Sequence, residues 1–258
     1  MVDIRTVTVE RYIMPFKEGG SLPALADADD GFSYVLKFRG AGQGTRALIA
    51  DFTGGMIAKA LGLHIPELVF AQLDPAFGQS EPDEEIQDLL KKSHGINLGV
   101  SYLSKAVTFD PAATFVQPDL ADMILWLDAY IMNVDRTVKN TNMLVWHKEL
   151  WLIDHGASLY FHHNMESWQQ LAASPFSNIS QHVLRHSGQD IRGADKRAKE
   201  LLTPELITEI VDNIPEDWLT DADPDMDAGE QRTIYKQFLL QRLDHSDNFV
   251  SNIAQYEK

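Results

Sequence analysis

The chain has 258 residues, with 22 basic against 38 acidic side chains, a formal charge of −16 and no cysteine. A chain of this length can bury about three quarters of the surface it exposes when unfolded, so its core needs no covalent staples. The missing cysteines exclude disulfides, thiolate-bound zinc, iron–sulfur clusters and thiol nucleophiles. The negative field repels phosphate backbones and anionic lipid, no basic patch offsets it, and no apolar run approaches the roughly 20 residues of a spanning helix. The expectation is a soluble cytoplasmic protein that binds neither nucleic acid nor membrane.

Residues 4 to 14, IRTVTVERYIM, alternate apolar and polar and are rich in β-branched side chains, and Ser33 to Phe38 repeat the pattern, so the chain opens as sheet. From Thr45, read as an N-cap, the apolar residues Leu48, Ile49, Phe52, Met56, Ile57, Ala60 and Leu61 follow helical spacing, and Gly62 with Pro66 supplies the stop. Gly54 and Gly55 inside that helix cost about 1 kcal/mol each relative to alanine, which implies close backbone packing there. ELVFAQL after Pro66 and the later GVSYLS read as strands, separated by an acidic loop or helix start from Ser80 to Asp88. The stretch from Gly40 to Thr45 lacks the ending of a Walker motif and reads as a flexible connection.

Beyond about residue 103 the character changes. Leu120, Met123, Ile124, Leu127 and Ile131 form a helical stripe, a hairpin follows at 142 to 154, Thr203-Pro204 makes a cap and first turn, and Ile234, Phe238, Leu239 and Leu243 continue helical spacing. The division is a β-rich part over residues 1–103 and a helical part over 104–258, an α+β class.

The chemistry concentrates in NVDRTVKNTNMLVWHKELWLIDHG, from Asn133 to Gly156. If Met143 to Trp146 pairs with Leu150 to Ile153 and turns at His147 to Glu149, Asn140 and Asp154 come to one end of the hairpin, within reach of one divalent cation. Phosphoryl transfer needs a carboxylate to orient a hydroxyl, then an amide oxygen and a second carboxylate to hold Mg²⁺ on nucleotide phosphates. Asp135, Asn140 and Asp154 supply those types in that order. The D-x-x-x-x-N spacing is shared with protein kinases, and Asp154-His155-Gly156 stands where they carry D-F-G. Upstream, Lys37 in YVLKF is the candidate cation for the phosphates, although a lysine in such a strand can merely snorkel from an edge, and Asp51 lies on the following helix where it could meet it. Two such charges about 4 Å apart gain roughly 4 kcal/mol at an effective dielectric near 20, before desolvation. Gly19, Gly20 and Ser21 lie ahead of Lys37, where backbone N–H groups could approach phosphate or simply make a turn.

On these residues the sequence resembles the HipA-like kinases, a branch of the kinase superfamily related to phosphatidylinositol kinases. The likeness runs from about Glu18 to about Tyr160 and is carried by EGGSLPALADADDGFSYVLKF, RALIADFTGGMIAKALGLHIPE, NVDRTVKNTNMLV and LWLIDHG. The resemblance implies a two-lobed protein-kinase-like fold with ATP in the cleft and Mg²⁺ as metal. It makes Lys37 the phosphate-binding lysine, Asp51 its helix partner, Asp135 the catalytic aspartate, and Asn140 and Asp154 the metal ligands. It makes Tyr102 to Ala106, with Tyr102 and Leu103 foremost, the hinge that meets adenine. It also implies a protein serine or threonine acceptor, a protein partner of the antitoxin kind, and Ser21 as a candidate for autophosphorylation. Asn133-Val134 replaces the His-Arg of ordinary protein kinases. Arg136 and Lys139 are candidates for neutralising the transferred phosphate, with an ion-pair or surface role as the alternative.

Asp223, Asp225 and Asp227 imitate an EF-hand start, but Ala228 and Ile234 occupy the positions that require Gly and Glu. His147, His155, His162 and His163 show no metal-ligand spacing. Trp146, Trp151, Trp168 and Trp218 read as packing residues. The rival to an active kinase is a nucleotide-binding scaffold acting through a protein partner; a metal-dependent phosphohydrolase is a weaker third.

Overall fold

The alternating segments of the first third close on themselves. In this computed structural model, which describes residues 3–16, 22–77 and 83–257, β1 (Thr6–Pro15), β2 (Ala24–Ala28), β3 (Ser33–Lys37), β4 (Leu68–Leu73) and β5 (Gly95–Ser101) form a barrel in the order β1-β2-β3-β5-β4. Parallel pairing of β1 with β4, through Val7↔Ala71, closes it. Its interior is filled by Val7, Val9, Tyr34, Leu36, Val69 and Leu73 with the three alanines of β2. Strand β2, with the sequence ALADA, escapes the sequence reading because Ala and Asp are weak strand formers. It forms because Ala24, Ala26 and Ala28 are small enough for a tight interior, each at most 3% exposed. GVSYLS is displaced: the strand begins at Gly95 and ends at Ser101, before Tyr102.

Helix α1 (Gly44–Ala60) follows β3, and α2 (Glu84–Lys92) lies between β4 and β5. The expected N-cap at Thr45 is corrected: Gln43 takes that place without a side-chain hydrogen bond, and Thr45 is buried in the first turn. The acidic stretch resolves into a helix start, where the Asp83 side chain accepts from the Glu85 and Ile86 N–H groups. The connection from Gly40 is anchored, not free. Its N–H donates to Ser93 Oγ at 3.2 Å, and a Cβ on Gly40 would stand 2.7 Å from the Lys92 carbonyl carbon.

Beyond residue 103 come β6 (Val107–Thr108), α3 (Pro118–Tyr130), β7 (Met143–Trp146) and β8 (Glu149–Leu152). They are followed by α4 (Trp168–Ala172), α5 (Ile191–Leu201), α6 (Pro204–Asp212), α7 (Glu216–Ala222), α8 (Ala228–Asp244) and α9 (Asp247–Ile253). The hairpin is one residue earlier on its second arm than the sequence suggested: Met143 pairs with Leu152 and Trp146 with Glu149. The turn is therefore His147-Lys148 alone, with φ of +50° and +70°. Two left-handed residues give the type I′ turn whose twist suits a two-residue hairpin. Thr203 caps α6 as expected, accepting from Leu206 N–H at 3.3 Å. Asp227 caps α8 instead of opening a calcium loop, accepting from the Gly229 and Glu230 N–H groups.

One apolar core runs from α1 and β4 into α3, α5, α6, α7, α8 and α9. Helix α7 joins the barrel to the rest. Trp218 is fully buried, packs edge-on to Phe52 and Phe70 with centroids 6.4 and 5.7 Å away, and donates from Nε1 to the Ile96 carbonyl at 2.7 Å. Beside it Arg39 pairs with Asp221 and lies 3.8 Å from Asp217. No helix among the described residues is long and apolar enough to cross a membrane.

Candidate active site

Strand alternation aims Lys37. Tyr34 and Leu36 point into the barrel, so Lys37 projects from the opposite face. There its Nζ lies 2.5 Å from Asp51 Oδ2 on α1 and 2.7 Å from Asp154 Oδ1. Burial acts to lower the lysine's pKa, but the Asp51 and Asp154 carboxylates outweigh it and hold the ammonium above its ordinary range. Burial likewise acts to raise Asp51, and the Lys37 charge with the hydrogen bond from His155 holds the carboxyl well below the usual carboxylate range. The site therefore carries a fixed positive charge on the barrel side and fixed negative charge around it at neutral pH.

The second group forms on the loop between α3 and β7. Asp135 N–H donates to Asn133 Oδ1 at 3.1 Å, and its Oδ2 accepts from Asn140 Nδ2 at 2.7 Å and from Asn142 Nδ2 at 3.3 Å. Thr137 N–H donates to the carbonyls of both Asp135 and Asn140 at 2.9 Å. That doubly bonded turn brings the two ends of the D-x-x-x-x-N segment together. Asn142 was not singled out from the sequence; the N-x-N of Asn140-Thr141-Asn142 was the available signal.

The hairpin connects the two groups. Ile153 N–H donates to the Asn142 carbonyl at 3.1 Å, continuing the β7–β8 register, so Asn140 and Asp154 lie at one end of the hairpin. Asp154 adopts φ +55°, in the left-handed region that Asp tolerates better than bulkier residues. That turn directs His155 N–H into Asp51 Oδ1 at 2.6 Å and buries the His155 ring against α1. Gly54 explains the fit. A Cβ there would stand 2.7 Å from His155 Cβ and 3.0 Å from Ile131 Cδ1, and one on Gly55 would stand 2.8 Å from Leu68 Cδ1. Gly54→Ala is expected to destabilise the fold by about 1–3 kcal/mol through overpacking, despite the better helix propensity of alanine. Urea unfolding measures it, and a neutral or stabilising result would refute this close packing.

Lys37, Asp51 and Asp154 thus meet directly, and Asp135 meets Asn140. Tyr102 and Leu103 lie where the chain leaves the barrel for β6. Tyr102 N–H donates to the Ser33 carbonyl at 3.0 Å, Ala106 N–H to the Leu103 carbonyl at 3.1 Å, and Trp146 Nε1 to the Ser104 carbonyl at 3.0 Å. Gly19, Gly20 and Ser21 lie outside the described residues. Arg136 takes the ion-pair alternative: it is 1% exposed, and its Nε lies 2.6 Å from Asp128 Oδ2. Lys139 is exposed.

Nucleotide phosphates and a divalent cation fit this donor set. Asn140 binds Asp135 through its amide nitrogen, which leaves Oδ1 without a partner among the described residues, and the Asp154 carboxylate is 48% exposed. One amide oxygen and one carboxylate are too few for a protein-only cage, but they suit an ion that keeps water and phosphate ligands.

A family model described as HipA-like kinase matches residues 9–253. Among solved structures, the crystal structure of CtkA, a proinflammatory kinase of Helicobacter pylori, is similar over 98% of this chain and 98% of that chain, with a TM-score of 0.57 and 15% identity. At that identity the likeness is one of fold. No curated protein matches the chain.

Proposed function

The chain belongs to the HipA-like kinase family, and from that premise we propose that it moves the γ-phosphoryl group of ATP to a hydroxyl acceptor, a protein serine or threonine, with Mg²⁺ as the metal. The barrel and the helical part act as the two lobes, over residues 1–103 and 104–258, and Tyr102 and Leu103 at their junction meet the adenine. One observation carries the reading: a single ammonium on a barrel strand is gripped by carboxylates from α1 and from the end of the β7–β8 hairpin, 117 residues away in sequence.

Each residue then has a role its geometry supports. Asp135 offers its outer oxygen to the acceptor hydroxyl, while Asn140 and Asn142 hold the inner one and fix the direction of the carboxylate. Lys37 donates to phosphate oxygens, and Asp51 keeps it charged and aimed. Asn140 Oδ1 and the Asp154 carboxylate would hold Mg²⁺, and the bound cation would offset negative charge on the phosphates, which in a loose phosphoryl-transfer transition state is most of the electrostatic requirement.

The test is incubation of the intact protein with γ-labelled ATP and a mixture of protein acceptors, with and without EDTA. Label appearing on protein serine or threonine and vanishing with EDTA is the expected result. Thermal stabilisation by ATP and Mg²⁺ without any transfer would replace this reading with the scaffold, and release of inorganic phosphate without a labelled acceptor would replace it with the phosphohydrolase.

A further inference from the structure

Beside the Asp135 loop, a buried ion pair joins the end of α3 to the loop that follows it and to His182, 54 residues on from Asp128. Asp128, in the last turn of α3, accepts from Asn133 Nδ2 at 2.9 Å through Oδ1. Its Oδ2 accepts from Arg136 Nε at 2.6 Å and from His182 Nε2 at 2.9 Å. The side chains of Asp128 and Arg136 are fully buried and that of His182 is 1% exposed. Leu184 N–H donates to His182 Nδ1 at 3.0 Å, so the ring proton sits on Nε2 and the imidazole is a neutral donor with a fixed tautomer.

The other side of Arg136 faces the reacting groups without reaching them. Its Nη1 donates to the Asn142 carbonyl and, at 3.4 Å, to the Ile153 carbonyl. Asn142 holds Asp135 by its side chain, and Ile153 directly precedes Asp154. One planar guanidinium therefore ties the loop bearing Asp135 to the strand end bearing Asp154, with an orientation set by Asp128. A lysine, a point charge on a flexible stem, cannot hold all three partners at once. The remaining partner leads outward. Val183 N–H donates to the Arg136 carbonyl at 3.1 Å, Thr137 forms a β-bridge with His182, and Val183, Leu184, His186 and Ser187 line a groove of about 520 Å³ opposite Phe109 and Phe115.

We propose that Arg136 is a positioning residue for phosphoryl transfer, held by Asp128 and His182, that sets Asp135 against Asp154 and couples both to the segment lining the groove. The proposal rests on the reading of Asp135 and Asp154 given above. Displacement of reacting groups by about 1 Å can cost of order 10²-fold in rate, whereas Lys37, proposed above to meet the nucleotide, is held by Asp51 as well as by Asp154.

Arg136→Lys is expected to lower kcat at least about tenfold while the KM for ATP stays within about twofold. The Ile153 amide, which donates to the Asn142 carbonyl, is expected to exchange with solvent faster in the variant than in the wild type, while amides within α8 do not change. His182→Ala is expected to reproduce both effects, and His182→Gln, which can restore a side-chain N–H toward Asp128, to recover most of the lost rate. The proposal is overturned if kcat of Arg136→Lys stays within twofold of wild type, if the glutamine variant behaves like the alanine one, or if Ile153 exchange is unchanged. Should Arg136→Lys not fold, the two His182 variants decide the matter. Should the wild type transfer no phosphate, the reading of the site fails, and the exchange measurement still judges the coupling.

Discussion

Asp135→Ala is expected to reduce phosphoryl transfer by about 10²- to 10⁴-fold, the range a positioned acid or base contributes, while ATP still raises the melting temperature nearly as far as in the wild type. The separation follows from the layout of the site. Among the described residues the Asp135 carboxylate is bonded to Asn140 and Asn142 of its own loop, whereas Lys37 is held by Asp51 and Asp154. Removing the carboxylate takes away the group proposed to meet the acceptor and leaves the lysine cradle intact. It also frees the Asn140 and Asn142 amides from their common acceptor, so some loss of metal affinity is expected, seen as a higher Mg²⁺ requirement in the residual activity. Transfer retained within tenfold of wild type would remove Asp135 from the proposed role. Lost ATP stabilisation would instead place Asp135 in the nucleotide-binding part of the site.

What could be read in the sequence was decided over short distances. Lys37 is legible because strand alternation fixes which face a side chain takes. Asp135, Asn140 and Asp154 are legible because a hairpin shorter than fifteen residues determines which ends meet. Even there the register was off by one, since His147 and Lys148 give no hint, as Asn-Gly would, that both adopt left-handed conformations. Gly54 announced close packing, but its partner, the ring of His155, lies about a hundred residues on and could not be named. What the sequence left open shares that cause. It offered Arg136 both a phosphate and an ion-pair role, and the choice depended on Asp128, eight positions back, which His182, far ahead, also holds. Strand β2 escaped because its alanines carry little strand propensity and are selected by the tight barrel interior that they fill. The attachment of α7 to the barrel depended on a bond 122 residues long in sequence.

That attachment bears on how the site is kept in order. Asp51 and Phe52 are neighbours on α1, so the helix that brings the carboxylate to Lys37 also packs, through Phe52, against Trp218. The Trp218 ring reaches β4 through Phe70, and its indole N–H reaches β5 through the Ile96 carbonyl. Arg39, two residues after Lys37, pairs with Asp221 one turn along α7. The Lys37–Asp51 contact is thus supported from behind by a short helix of the C-terminal part. Rotation of α1 away from the lysine would have to open a buried aromatic cluster.

Trp218→Ala is therefore expected to give a large stability loss away from the site. Truncating a buried tryptophan costs about 3–5 kcal/mol, and the stranded Ile96 carbonyl contributes to that range as an unsatisfied acceptor. Against a total of about 5–15 kcal/mol for a typical domain, the variant stands near the edge of folding. Trp218→Phe separates the two terms. It keeps most of the ring contact with Phe52 and Phe70 and loses the hydrogen bond, so a smaller loss of about 1–3 kcal/mol is expected. Urea unfolding followed by circular dichroism measures both. Because Phe52 adjoins Asp51, the phenylalanine variant is also expected to bind ATP as tightly as the wild type, and the alanine variant more weakly even at low temperature where it is folded. A loss below about 1 kcal/mol for alanine would show that α7 merely covers the barrel, and unaltered ATP affinity in folded Trp218→Ala would show that α1 holds Asp51 in place without it.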